Sequence, residues 1–86
     1  MTDTLTETEI AKIQDIVIRQ LEVRREQLTL DAKLVEDLGA DSLDVVEITI
    51  QSEEAFGITI PDEEAEEVKT VEELYEAVGR LLGRGR

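Results

Sequence analysis

Residues 39–57 read GADSLDVVEITIQSEEAFG, and the periodicity of this stretch decides the fold. Asp41 is a good helix cap, Asp44 puts negative charge into the first turn, and the next glycine, Gly57, comes where a helix of four turns would stop. At about 100° per residue, Val45, Ile48, Ser52, Ala55 and Phe56 fall on one side of this helix. Leu43, Val46 and Ile50 fall on roughly the opposite side, among Glu47, Glu53 and Glu54. The first stripe is read as the core face. The second is either a docking surface, with aliphatic anchors inside an acidic rim, or a face that a later helix covers.

Working outward, Thr6 and Glu9 form a capping-box signature ahead of Ile10, Ile13, Val17 and Leu21, which predicts a helix over 7–21. Past Gly57, Ile60 and Pro61 lead into DEEAEEV, a short acidic helix. Thr70 and Glu73 repeat the capping box, and Val71, Leu74, Val78 and Leu81 carry a last helix towards Gly83. LTL at 28–30 and GITI at 57–60 are β-like but too short to make a sheet. The expectation is an all-α fold, a small four-helix bundle of three main helices and one short one. It forms a single domain over 1–86 whose ends, about 1–5 and 83–86, fray. The connection over 22–40 is long for a bundle. It either hides a short helical turn or has a role, and Leu28, Leu30, Leu34, Val35 and Leu38 predict a packed crossover that lets the first two helices run nearly parallel.

Composition narrows the function. A chain of 86 residues buries only about 60 to 65 per cent of its unfolded surface, so it builds one core. Phe56 and Tyr75 are its only aromatic residues, which leaves a soft aliphatic interior. With no cysteine and no histidine it has no disulfide, no thiolate zinc site and no imidazole base. The net charge is −13 and unevenly placed: residues 41–76 hold thirteen acids against Lys69 alone. Such a field excludes ordinary binding to nucleic-acid phosphates and points to a basic protein surface as partner. The opening MTDTLTETEI lacks the basic-then-apolar order of a secretion signal, and no apolar run approaches membrane-spanning length. The expected protein is cytoplasmic and monomeric, without membrane insertion.

Ser42 stands between two aspartates with nothing to activate it. GADSL is not the G-x-S-x-G nucleophile elbow, because position 44 is Asp. It lacks the second glycine and the lysine of a phosphate-cradling loop, and the acids miss the spacing of a calcium loop. No metal site is expected. Taken alone, Asp41-Ser42-Leu43 is a helix start.

In context it is more. LVEDLGADSLDVVEI at 34–48 and EEAFGITIPDEEAEEVKTVEEL at 53–74 resemble the bacterial acyl carrier proteins of fatty acid synthesis over about residues 10–80. The resemblance implies no catalytic activity. It implies that Ser42 accepts 4′-phosphopantetheine from coenzyme A, transferred by a separate phosphopantetheinyl transferase (holo-ACP synthase), and that acyl groups ride on the terminal thiol. A carrier without histidine or cysteine offers that thioester no internal nucleophile of those types. The implied partners are the transferase, ketosynthases and other fatty acid synthesis enzymes, and acyltransferases. The implied recognition surface is Leu43, Val46, Glu47, Ile50, Glu53 and Glu54, with Ile60 and Asp62 beyond the loop. Asp41 and Asp44, which repel the arm's phosphate somewhat, are read as further partner contacts. Leu34, Leu38, Ile48, Ala65, Val68 and Leu74 are the implied acyl-chain cavity, and Ser52 falls among them by its place on the core stripe. Two features depart from the family pattern. Gln51-Ser52 stands where small or apolar residues are usual, the Ser52 hydroxyl expected to bond back to Ile48. The basic tail GRLLGRGR is the other. A carrier dedicated to a polyketide, a specialised lipid or an aminoacyl group is the alternative within this class, and an unmodified acidic adaptor for basic proteins is the alternative outside it.

Overall fold

The local signals place every helix. In the computed structural model, which describes residues 5–83, helix α1 spans Glu7–Leu21, α2 Ser42–Phe56, α3 Asp62–Glu67 and α4 Val71–Leu81. Thr6 Oγ1 accepts from the Glu9 N–H at 3.1 Å while the Glu9 carboxylate accepts from the Thr6 N–H, so the box is reciprocal. Thr70 and Glu73 do the same for α4. Gly57 ends α2 at φ 66°, a left-handed conformation that costs glycine little. Among the described residues there is no strand, and LTL and GITI stay irregular. The all-α expectation holds.

The core is aliphatic. Ile13 and Val17 of α1, Leu34 of the long connection, Ile48 of α2, and Val71, Leu74 and Val78 of α4 are all essentially inaccessible. Each such side chain contributes roughly 1.5–3 kcal/mol by leaving water. Leu34 is as deeply placed as any helical residue, so the connection is part of the core. Ile16 and Tyr75 are buried as well. Ser52 is fully buried, and its hydroxyl donates to the Ile48 carbonyl at 2.8 Å, as read from its place in the sequence. Of the ends read as frayed, residues 1–4 and 84–86 lie outside the described residues, whereas Leu5 packs into the core.

The connection takes a different course from the one expected. A single 3-10 turn, Arg25–Gln27, is the hidden turn. From it the Arg25 guanidinium reaches back to Gln14 Oε1 at 2.7 Å and Asp15 Oδ1 at 2.6 Å, so the chain doubles back along α1. Residues 30–34 then pair with the start of α4: the Leu34 N–H donates to the Lys69 carbonyl, the Val71 N–H to Ala32 and the Glu72 N–H to Leu30. Leu28, Leu34 and Leu38 are buried, but Leu30 and Val35 are exposed. The loop therefore returns to the end of α1 that it left. Gln20, near the end of α1, donates to Asp44 at the start of α2, and Lys12, near the start of α1, lies 5.9 Å from the centre of the Phe56 ring. The first two helices are antiparallel, and the parallel arrangement expected from loop length is corrected.

Tyr75 carries a defect. The residue is 3% exposed and its hydroxyl has no hydrogen-bond partner among the described residues. Burial raises its pKa, which nearby Gln14 and Arg25 only partly offset. An unsatisfied buried hydroxyl is costly, whereas a ring of the same shape without it is not. Tyr75→Phe is therefore expected to stabilise the protein by about 1 kcal/mol, read as a higher midpoint in urea with unchanged slope.

Candidate functional site

Asp41 and Asp44 build the start of α2 as a pair. Asp41 Oδ1 accepts from the Asp44 N–H at 2.8 Å, and Asp44 Oδ2 accepts from the Asp41 N–H at 3.1 Å. The other Asp44 oxygen takes the Gln20 amide at 2.9 Å. Both aspartates thus have structural work, in addition to whatever they offer outward. The hydrogen bond from Gln20, then that from the Asp41 N–H, hold the Asp44 carboxyl below its ordinary value near 3.8. Gln51 donates in turn to Gln20, so one glutamine clamps two points of α2 against α1.

Between these aspartates Ser42 opens the helix with its side chain exposed. Its hydroxyl makes no hydrogen bond among the described residues and no base faces it, so a reacting group must come from outside. The cap uses the Asp44 N–H and the helix uses that of Val45, which leaves the first N–H groups of α2 free to face a negative charge carried on Ser42.

Ser42 stands at the mouth of a half-open groove of about 850 Å³, within the range of small-molecule sites. Val45, Val46, Thr49 and Glu53 of α2 form one side. Ile60, Asp62, Ala65 and Glu66 form the other, and Val68, Lys69, Val35 and Glu36 complete the rim. Thr49 is buried, its hydroxyl donating to the Val46 carbonyl at 2.7 Å.

The expected site residues divide accordingly. Leu43, Val46 and Ile50 are 72%, 48% and 42% exposed, so α3 does not cover them, and the acids around them, Glu47 and Glu54, are exposed with Asp62. Glu53 is half-buried and accepts the Ile60 N–H at 2.6 Å, tying α2 to the segment before α3. Ile60, read as part of the recognition surface, is instead buried at 5% exposure and lines the groove. Ala55 is exposed, although the wheel puts it on the core stripe; in that last turn Phe56 faces α1 and the Lys12 ammonium. Of the expected cavity residues, Ala65 and Val68 line the groove. Leu34, Leu38, Ile48, Ser52 and Leu74 lie in the closed core behind it. Val35, Val45 and Thr49 were not anticipated as lining. The four-residue spacing of Val45, Thr49 and Glu53, a stripe between the two apolar faces, was the available signal.

Among the described residues no cluster of acids is placed to hold a metal ion, and no helix is long and apolar enough to cross a membrane.

Residues 11–78 match the family described as a phosphopantetheine attachment site. An acyl carrier protein of Syntrophobacter fumaroxidans is 49% identical over 69 residues, covering 80% of this chain and 85% of its own. One of Campylobacter hominis is 44% identical over 70 residues, covering 81% of this chain and 89% of its own.

The Gln20 contact has a measurable signature. In Gln20→Leu the Asp44 pKa is expected to rise towards the ordinary carboxylate value, followed by its side-chain carboxyl resonance in a pH titration. The sign for stability follows: a depressed carboxyl contributes fully above its unfolded value, about 3.9, and that contribution fades as pH falls through the lower folded value. The variant should therefore lose less stability than the parent on moving from neutral to strongly acid pH.

Proposed function

Because the chain belongs to the acyl carrier protein family, we propose that it holds acyl intermediates on an arm attached at Ser42 and delivers them to the enzymes of fatty acid synthesis in the cytoplasm. It is a carrier and not a catalyst, and the family's prosthetic group is 4′-phosphopantetheine. When bound, that group supplies a flexible arm with a terminal thiol on which an acyl group is held as a thioester. The observation that carries the reading is an unbonded, exposed serine at a helix start beside a groove.

The chain's own residues then have distinct tasks. Asp41 and Asp44 fix the helix start, so the Ser42 backbone is held in one place and its free hydroxyl faces outward to the transferase that modifies it. The free N–H groups of the first turn face the phosphodiester. Half-buried Val45 with buried Thr49 and Ile60 offers an acyl chain a largely apolar wall, with the aliphatic core behind it. Leu43, Val46 and Ile50 give partners an anchor, and Glu47 and Glu54 orient a basic surface against it. The transferase, ketosynthases and acyltransferases are the partners this face suits.

Incubation with coenzyme A and a phosphopantetheinyl transferase should add the mass of one arm to the wild type and nothing to Ser42→Ala, which keeps its cap and its helical circular dichroism. A wild-type chain left unmodified by several broad-range transferases would instead favour the acidic adaptor.

The docking face is tested by charge placement. Glu47→Lys should slow modification of Ser42 mainly through the association rate and should flatten its dependence on salt, because less attraction is left to screen. Glu26→Lys, on the turn that folds against α1, changes net charge equally and should leave the rate within about twofold of the parent, as distant surface charges are screened. Equal slowing by both would reduce the effect to overall charge.

A further inference from the structure

Helix α3 is weakly held. It has six residues, none of them buried, and Pro61 gives it no side-chain cap. Five of the six are acids, which repel one another. Its flanks are anchored, Ile60 by the Glu53 bond and Val68 by burial. Among the described residues, its middle has one side-chain ion pair to another helix. Glu64 Oε1 accepts both Nη1 and Nη2 of Arg80, at 2.8 and 2.6 Å, from the exposed side of α4. Among the described residues Arg80 is the one base bonded to this helix. The residue next to Glu64 is Ala65, and with Asp62 and Glu66 it walls the groove beside Ser42.

We propose that Arg80 is a positioning residue: by holding Glu64 it keeps α3 in place as the outer wall of the groove, so an ion pair on α4 sets how readily the groove admits and releases its occupant. This rests on the groove's sheltering the acyl chain. It also gives a task to part of the basic tail that the carrier reading left without one; Arg84 and Arg86 lie outside the described residues. The pair is half-exposed on both sides, so its hold is modest and weakens with salt.

The test uses Arg80→Gln, Glu64→Gln and the exchanged pair Glu64→Arg with Arg80→Glu. In the unloaded protein, amide hydrogen exchange over α3 should quicken about two- to fivefold in each Gln variant, the range an exposed pair allows, while exchange in α1 stays unchanged. The exchanged pair should restore the parental rate. On the loaded protein, neutral hydroxylamine should cleave an octanoyl thioester more slowly than an acetyl one, each referred to the same thioester of free pantetheine. The Gln variants should speed octanoyl cleavage by a similar factor and leave acetyl cleavage alone. Unchanged α3 exchange, or octanoyl cleavage unchanged while still slower than acetyl, would overturn the role of Arg80 and leave the sheltering groove intact. Equal cleavage of both thioesters in the parent would remove the sheltering groove, and the role of Arg80 with it.

Discussion

The reciprocal bonds between Asp41 and Asp44, fastened to α1 by Gln20, are what the site depends on. They fix where α2 begins against α1, and sliding the helix by one residue against its fixed neighbours would change the side chain at every contact to one about 100° away. Ser42 would then leave the mouth of the groove, the aliphatic stripe would rotate towards the core, and Ile48 would leave the interior. A short polar contact therefore sets the register of both an apolar packing and an exposed reactive hydroxyl. That both aspartates flank Ser42, the attachment site proposed above, is a compromise, because their charge opposes an incoming phosphate while their geometry presents its acceptor.

The chain achieves inertness by composition and by placement. No imidazole or thiol exists to attack a thioester, and the two buried hydroxyls of α2 are already engaged: Thr49 donates to Val46 and Ser52 to Ile48. Ser42 keeps its freedom by standing outside, at a helix start. The aliphatic core suits a carrier for a related reason. Side chains such as Ile, Leu and Val bury area without the fixed hydrogen bonds that a tyrosine or tryptophan requires, and Tyr75, the one buried residue of that kind, is left with its hydroxyl unsatisfied.

The helices were legible because capping boxes and 3.6-residue periodicity are local signals; Thr6, Asp41 and Thr70 each announce a helix start by chemistry confined to four residues. The stripe of Leu43, Val46 and Ile50 was legible for the same reason, but its exposure was not, since that depends on where α3 packs. The course of residues 22–40 was not. Loop length does not encode direction, and the turn back at Arg25 depends on Gln14 and Asp15, partners ten and eleven positions away. Groove lining failed differently. Leu34, Ile48 and Leu74 are the most apolar candidates and so go deepest, whereas the groove wall combines half-buried Val45 with buried Thr49 and Ile60 from separate segments, which no single-element pattern marks out. Ile60 belongs to the surface that the family resemblance implies, but it is buried here, its N–H bonded to Glu53.

The pairing of residues 30–34 with 69–72 has a kinetic side. Helices close through contacts three and four residues apart and form in about a microsecond, so a bundle made only of such contacts folds very fast. Here the hydrogen bonds Leu34 to Lys69, Ala32 to Val71 and Leu30 to Glu72 join segments nearly forty residues apart, enclosing α2 and α3 in one loop. Closing that loop costs chain entropy before any bond across it is gained. The arrival of α4 against the connection is therefore a non-local step, slower than the forming of any one helix, and it completes the core that Leu34 shares with Leu74 and Val78.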